Sequence, residues 1–191
     1  MRRSTPALAG LTAMLLTVVA GCSSGNNESH GSLSVAMGAS LGTAAASRTV
    51  SAADPISQLQ AAMITVSAVE AHQTSGTWVV VDAGLPATVD LLAILNGGNP
   101  ISLPADAIPE GAYDGLQVTI TKADLTLTDG TQVSITPPSG GWVVRIPVDF
   151  SVVAGQVTEI TLQLRCDTSF KVIGGSFVFD PEVDVQGVAH H

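Results

Sequence analysis

Apolar and polar residues alternate one for one over long stretches of this chain. That period of two predicts β-strands with one buried face. The clearest stretch is 142–150, where Trp142, Val144, Ile146, Val148 and Phe150 share one face, and Val143, Arg145, Pro147 and Asp149 share the other. Pro147 has no N–H to give to a ladder, which places this strand at a sheet edge or at a bulge. Residues 159–166 alternate as well, with Ile160, Leu162, Leu164 and Cys166 inward and Glu159, Thr161, Gln163 and Arg165 outward. A last strand over 177–185 turns Phe177, Phe179, Val183 and Val185 inward. Leu116, Val118 and Ile120 form another apolar face, but the parity then changes to Ala123, Leu125 and Leu127. A slip of one residue exchanges the faces of a strand, so a bulge or break is expected near Lys122. Trp78 to Val81 is a short apolar strand.

Turn residues separate these runs. Asp129-Gly130 predicts a tight hairpin into 132–135, and Pro137-Pro138-Ser139-Gly140-Gly141 a second turn. One segment has helical character: Thr88 or Asp90 caps Leu91-Leu92-Ala93-Ile94-Leu95, and Asn96-Gly97-Gly98 ends it. Residues 59–72 fit two periods at once, Leu59, Met63, Val66 and Glu70 for a helix, and Ile64, Val66 and Ala68 for a strand. Residues 40–57 are small and weakly patterned and read as a loop, and no internal repeat is present. Several short strands at turn-marked intervals, with one short helix, predict an all-β fold, an antiparallel β-sandwich.

The chain opens differently. Arg2 and Arg3 precede an apolar run over 7–20, which ends in Val19-Ala20-Gly21-Cys22. The run is short of the roughly 20 residues that span a bilayer, and its length suits a signal peptide. The final four residues resemble the bacterial lipobox, in which the cysteine thiol takes a diacylglycerol. The expectation is a lipoprotein signal peptide over 1–21 and lipidation, with palmitate-type acylation, at Cys22. A flexible tether over 22–32, polar in Ser23–Gly31, a sandwich domain over 33–188 and a short tail over 189–191 complete the organisation. Two or more acyl chains anchor stably, so the protein is expected to be exported and membrane-anchored. Ser23, not Asp, follows the cysteine. This points to the outer membrane if the host has two membranes, and otherwise to the outer face of the cell membrane.

Removing residues 1–21 leaves 170 residues, with 5 basic against 16 acidic side chains and a formal charge of −11. Such an acidic surface argues against nucleic acid as a partner. With Cys22 used for lipid, Cys166 stands alone, without a disulfide partner. It shares parity with apolar neighbours and reads as a buried thiol.

The mature region resembles domain of unknown function 4382, found in bacterial and archaeal envelope proteins. The likeness runs from about Leu33 to Gly187. It is carried by Ile64-Thr65-Val66-Ser67-Ala68-Val69-Glu70, Trp78-Val79-Val80-Val81 and Val89-Asp90-Leu91-Leu92-Ala93-Ile94-Leu95-Asn96-Gly97-Gly98. Pro109-Glu110-Gly111-Ala112-Tyr113 and 153–162 carry it further. The family begins with a strand ending in an Asp-Ala-Pro-like turn, whereas here Leu33-Ser34-Val35-Ala36-Met37 leads to Gly38-Ala39-Ser40; Asp167 is the aspartate nearest Cys166. The resemblance implies a sandwich similar to transthyretin-like or carboxypeptidase-regulatory-like modules, and it implies no activity.

Motifs for catalysis are missing from the sequence: no G-x-S-x-G, H-E-x-x-H, C-x-x-C or phosphate-binding glycine loop, and hence no expected cofactor. His72 is the one histidine inside the domain body, since His30 lies in the tether and His190 and His191 end the chain. An enzyme would need His72 joined to a carboxylate and a serine in space. Asp180, Glu182 and Asp184 alternate on one face and are weak candidate ligands for Ca²⁺ if Asp124 or Asp149 joins them. Trp78 and Trp142 form a carbohydrate platform if exposed. Tyr113, after a Pro-x-Gly turn, is expected to pack inside with its hydroxyl bonded to backbone. The leading expectation is a non-catalytic interaction or structural module at the cell envelope, with a possible protein or carbohydrate partner. The alternative is a carbohydrate- or Ca²⁺-binding module.

Overall fold

The computed structural model describes residues 29–42, 54–81, 84–103 and 105–191. The signal peptide, Cys22 and most of the tether lie outside the described residues, as does much of the 40–57 loop. Along the described chain run β1 (His30–Ser40), a 3-10 turn (Pro55–Gln58), β2 (Leu59–Gln73), β3 (Trp78–Val81), β4 (Ala87–Asp90) and α1 (Leu91–Leu95). Then follow β5 (Ile101–Ser102), β6 (Asp106–Pro109), β7 (Gly111–Leu127), β8 (Gln132–Ile135) and β9 (Trp142–Val152). The last are β10 (Val157–Arg165), α2 (Cys166–Ser169), β11 (Phe170–Ile173), β12 (Ser176–Phe179) and β13 (Val183–His190).

β11 and β12 form a separate two-stranded sheet, and the alternation sorts the other strands into two packed sheets. One runs β13-β10-β1-β5, with β6 also on β1; the larger runs β3-β2-β7-β8, with β4 on β2 and β9 on β7. Their inner faces meet in one apolar core, Leu33, Val35 and Met37 of β1 and Ile160 and Leu162 of β10 against Ile64, Val66, Leu116, Val118 and Ile120. The fold is therefore the expected all-β sandwich. The Asp90 carboxylate caps α1 by accepting from the Leu92 and Ala93 N–H groups at 3.1 and 3.3 Å. Besides α1, the described chain has two single turns, α2 and the 3-10 turn.

The first strand is the main departure from simple alternation. β1 pairs with β10 in parallel, from Ser32↔Val157 to Ser40↔Arg165, within an otherwise antiparallel arrangement. It lies inside its sheet, between β10 and β5/β6, and Ala36 and Gly38 are buried along with Leu33, Val35 and Met37. Burial beyond a single face removes the polar alternate positions that would have marked it.

β2 resolves the double pattern of 59–72 in favour of strand. The register shifts between Val66↔Ile120 and Ala68↔Thr119 leave Ser67 as an extra residue. The inward set therefore jumps by three, from Val66 to Val69, and that jump imitates helical spacing. The expected slip in β7 falls at Thr121, between Ile120↔Val66 and Lys122↔Thr65. Pro147 is both on an edge strand and next to a bulge, since β9 pairs with β7 alone and carries an extra residue between Pro147 and Phe150.

Two segments end differently from their pattern. β10 stops at Arg165, so Cys166 opens α2, although its thiol is buried as expected. The single strand expected over 177–185 is two: β12 folds back on β11, and the chain crosses at Pro181 before β13 joins β10. β13 then continues past Val185 to His190, and His191 exchanges backbone hydrogen bonds with Val157 at 2.9 and 3.1 Å. The C-terminal residues thus pair with the sheet rather than hang as a tail, and β1 already includes residues 30–32 of the tether.

Gly141 ends the turn into β9 at φ +88°, and a Cβ there would meet the Ile120 carbonyl oxygen at 2.7 Å. Gly141→Ala is expected to destabilise the protein by about 1–3 kcal/mol, because it combines left-handed backbone with a contact to main chain that cannot rotate away. The urea unfolding midpoint reads this directly; an unchanged midpoint would show that the turn relaxes without strain.

Candidate functional site

The outer face of the larger sheet carries two rows of residues set by strand register. Trp78 on β3, His72 on β2, Gly115 on β7 and Pro147 on β9 form one row. Val80, Glu70, Gln117 and Arg145 form the next, on the same four strands. Asp114 joins them through a bulge. It is the extra residue of β7 between Gly115↔His72 and Tyr113↔Gln73. Asp114 is therefore exposed, while Tyr113 drops into the core. Bulges re-aim side chains in this way.

The polar groups of the two rows hold one another. His72 Nδ1 lies 2.6 Å from an Asp114 carboxylate oxygen. The His72 ring packs at 4.7 Å and 51° against the Trp78 indole. Gln117 donates from Nε2 to Glu70 Oε2 at 2.6 Å and accepts from Arg145 Nε at 3.0 Å. The Arg145 guanidinium lies 5.9 Å from the centre of the Trp78 ring. Between Trp78 and His72 on one side and Arg145 and Pro147 on the other is a shallow groove of about 220 Å³. Gly115 opens it: a larger residue at that register position would fill the space between the two walls. Trp78 stays 37% exposed, Val80 in the second row 60%, and Val143 beside the rows 51%.

The residues singled out by sequence fall mostly elsewhere. Trp142 is half-buried, edge-on to Phe179 at 5.0 Å, so only Trp78 offers an exposed indole. Asp180, Glu182 and Asp184 do not converge. Asp180 pairs with Lys171 at 2.9 Å, while Glu182 and Asp184 lie 3.8 and 3.9 Å from Arg165. Asp124 pairs instead with Lys122 at 2.6 Å and accepts from Ser134, contacts that hold its carboxyl below the usual range. Asp149 lines a second, open groove with Tyr113 and His190, where His190 Nδ1 is 3.3 Å from the Thr158 hydroxyl. Among the described residues no three His, Cys, Asp or Glu side chains are grouped to hold a metal ion.

Tyr113 takes the corner position expected of it. Its hydroxyl donates to the Pro109 carbonyl at 2.7 Å and accepts from Gln73 Nε2 at 3.3 Å. Burial raises the phenol above its ordinary value, and the Gln73 contact partly offsets this.

A family model described as domain of unknown function (DUF4382) matches residues 45–181. No curated protein and no solved structure matches the chain. The matched range starts after β1 and stops before β13, although these two strands flank β10 in the smaller sheet.

Proposed function

Because the chain belongs to the DUF4382 family, whose description assigns no activity, we propose its function from the surface it presents: a lipid-anchored envelope protein whose sandwich is a non-catalytic interaction module. The observation that carries this reading is the outer face of the larger sheet, where Trp78, Val80 and Val143 are exposed around a preset rung of Glu70, Gln117 and Arg145. Held polar groups beside exposed apolar ones suit recognition, since little side-chain entropy remains to be lost on binding. The His72–Asp114 contact at Nδ1 matches the histidine–carboxylate part of a hydrolytic triad. Yet no serine, threonine or cysteine lines its groove among the described residues, which favours binding over acyl transfer.

The address rests on the lipobox-like Val19-Ala20-Gly21-Cys22. Anchoring through Cys22 sets the sandwich on the membrane surface, and no helix among the described residues is long and apolar enough to cross a bilayer. Ser23 directs the protein to the outer membrane in a host with two membranes. Cys22→Ser is expected to abolish incorporation of a labelled fatty acid and to move the protein out of the membrane fraction. A variant that is processed and still sediments with membranes would remove the lipid anchor from this reading.

A further inference from the structure

From the groove over Gly115 we infer a binding site for a neutral pyranose unit of a glycan, a reading that rests on the interaction-module function above. Three features select this ligand. The first is shape. A cavity of about 220 Å³ lies below the roughly 300–1,000 Å³ of sites that enclose drug-sized molecules. It is open along the sheet, so it takes one ring of a longer chain and leaves the neighbouring rings outside.

The second is the wall. Trp78 is 37% exposed, with the His72 ring 4.7 Å from its indole and the Arg145 guanidinium over the ring at 5.9 Å. An aromatic plane with a polar rim recognises the axial C–H face of a pyranose. The flanking Asp114 carboxylate accepts from hydroxyls, and the terminal nitrogens of the Arg145 fork donate to them.

The third is charge. Arg145 and Asp114 line the groove, Glu70 lies beside it on Gln117, and the whole chain carries −9. That excess disfavours uronate, sulfated or phosphate-bearing polymers and leaves hydroxyls as the matching groups.

Gly115 supplies a clean test. A Cβ there meets the Ile146 carbonyl oxygen at 3.5 Å and the His72 Cβ at 3.8 Å, ordinary contacts, and the backbone is not left-handed. Gly115→Val therefore fills the groove in a residue suited to a strand. The full chain, purified in detergent, is titrated calorimetrically with cellohexaose, mannohexaose, xylohexaose and hexagalacturonate. At least one neutral hexasaccharide is expected to bind saturably, with the uronate at least about tenfold weaker. Both Trp78→Ala and Gly115→Val should weaken the neutral ligand by about tenfold or more, the scale of one stacked aromatic contact. No heat from any neutral sugar, equal binding of the uronate, or unchanged binding by Gly115→Val overturns the site. Missing heats with lipid labelling intact remove the sugar site alone. Saturable heats without labelling remove the anchor and support the site.

Discussion

Replacing Tyr113 with alanine is expected to lower stability by about 3–5 kcal/mol, the range for removing a fully buried aromatic ring. Tyr113 is 1% exposed, stacks on Phe150 at 5.0 Å and 12°, and satisfies the Pro109 carbonyl at 2.7 Å. Alanine leaves a cavity between β7 and β9 and a backbone acceptor without its partner. For a domain of this size the loss corresponds to a fall of about 6–20 °C in melting temperature. Tyr113→Phe keeps the ring and removes only the hydroxyl, so it should cost about 1–2 kcal/mol. Chemical denaturation of the two variants separates packing from hydrogen bonding. A loss below about 1 kcal/mol in the alanine variant would mean the corner is not a fixed point of the fold.

The Cys166 thiol is expected to resist labelling in the native protein at pH 8 by about a thousandfold relative to the unfolded chain. Burial, with the Asp167 carboxylate adding to it, pushes the thiol from 9.0 up to about 12. Three units correspond to about 10³ less thiolate at a given pH, and the thiolate is the reactive form. The side chain is fully buried, so modification has to wait for opening of the structure. The linkage has a definite sign. A group whose folded value is raised contributes stability fully below its unfolded value, and that contribution fades as pH rises through the folded one. The window is therefore pH 9 to 12. Between pH 8 and pH 11 the urea midpoint should fall more for the native chain than for Cys166→Ala. Parallel pH profiles, or labelling as fast as in urea, would show that this thiol reaches solvent without unfolding.

Alternation carried most of the fold because most strands bury one face. β9 and β10 show it plainly, and the parity change at Lys122 located a real bulge at Thr121. β1 was harder to read because Ala36 and Gly38 are buried beside Leu33 and Met37, and because its parallel partner lies far along the chain. β2 was ambiguous because the bulge at Ser67 inserts a step of three into a period of two. The same physics hid half of the groove. Read by parity, Asp114 falls on the face of Leu116 and Val118, and only the bulge turns it out to His72. Trp78, His72 and Arg145 were visible as residues, but their meeting depends on four strands coming into register. The acidic alternation at Asp180, Glu182 and Asp184 is genuine as sequence, yet Pro181 splits its strand and Lys171 and Arg165 take up its carboxylates.

The parallel pairing of β1 with β10 also orders events in time. Ser32 meets Val157, a partner 125 residues further on, whereas β2 meets β7 across far shorter loops. A chain emerging N-terminus first can close the larger sheet from contacts within residues 59–152. The smaller sheet can begin with β5 and β6 on β1, but it has to wait for β10 to be completed and for the last residues of β13 to gain its far edge. Non-local closure is slow because loop entropy is lost before contacts repay it. Until then the inner faces of β2 and β7 lack part of their cover, and this interval is expected to be when the nascent chain is most exposed to aggregation. Contacts of β1 with β10 are therefore expected to form on the late side of the folding barrier. Weakening them should accelerate unfolding more than it slows folding, so that the lifetime of the native state, rather than the speed of reaching it, would rest on the first strand.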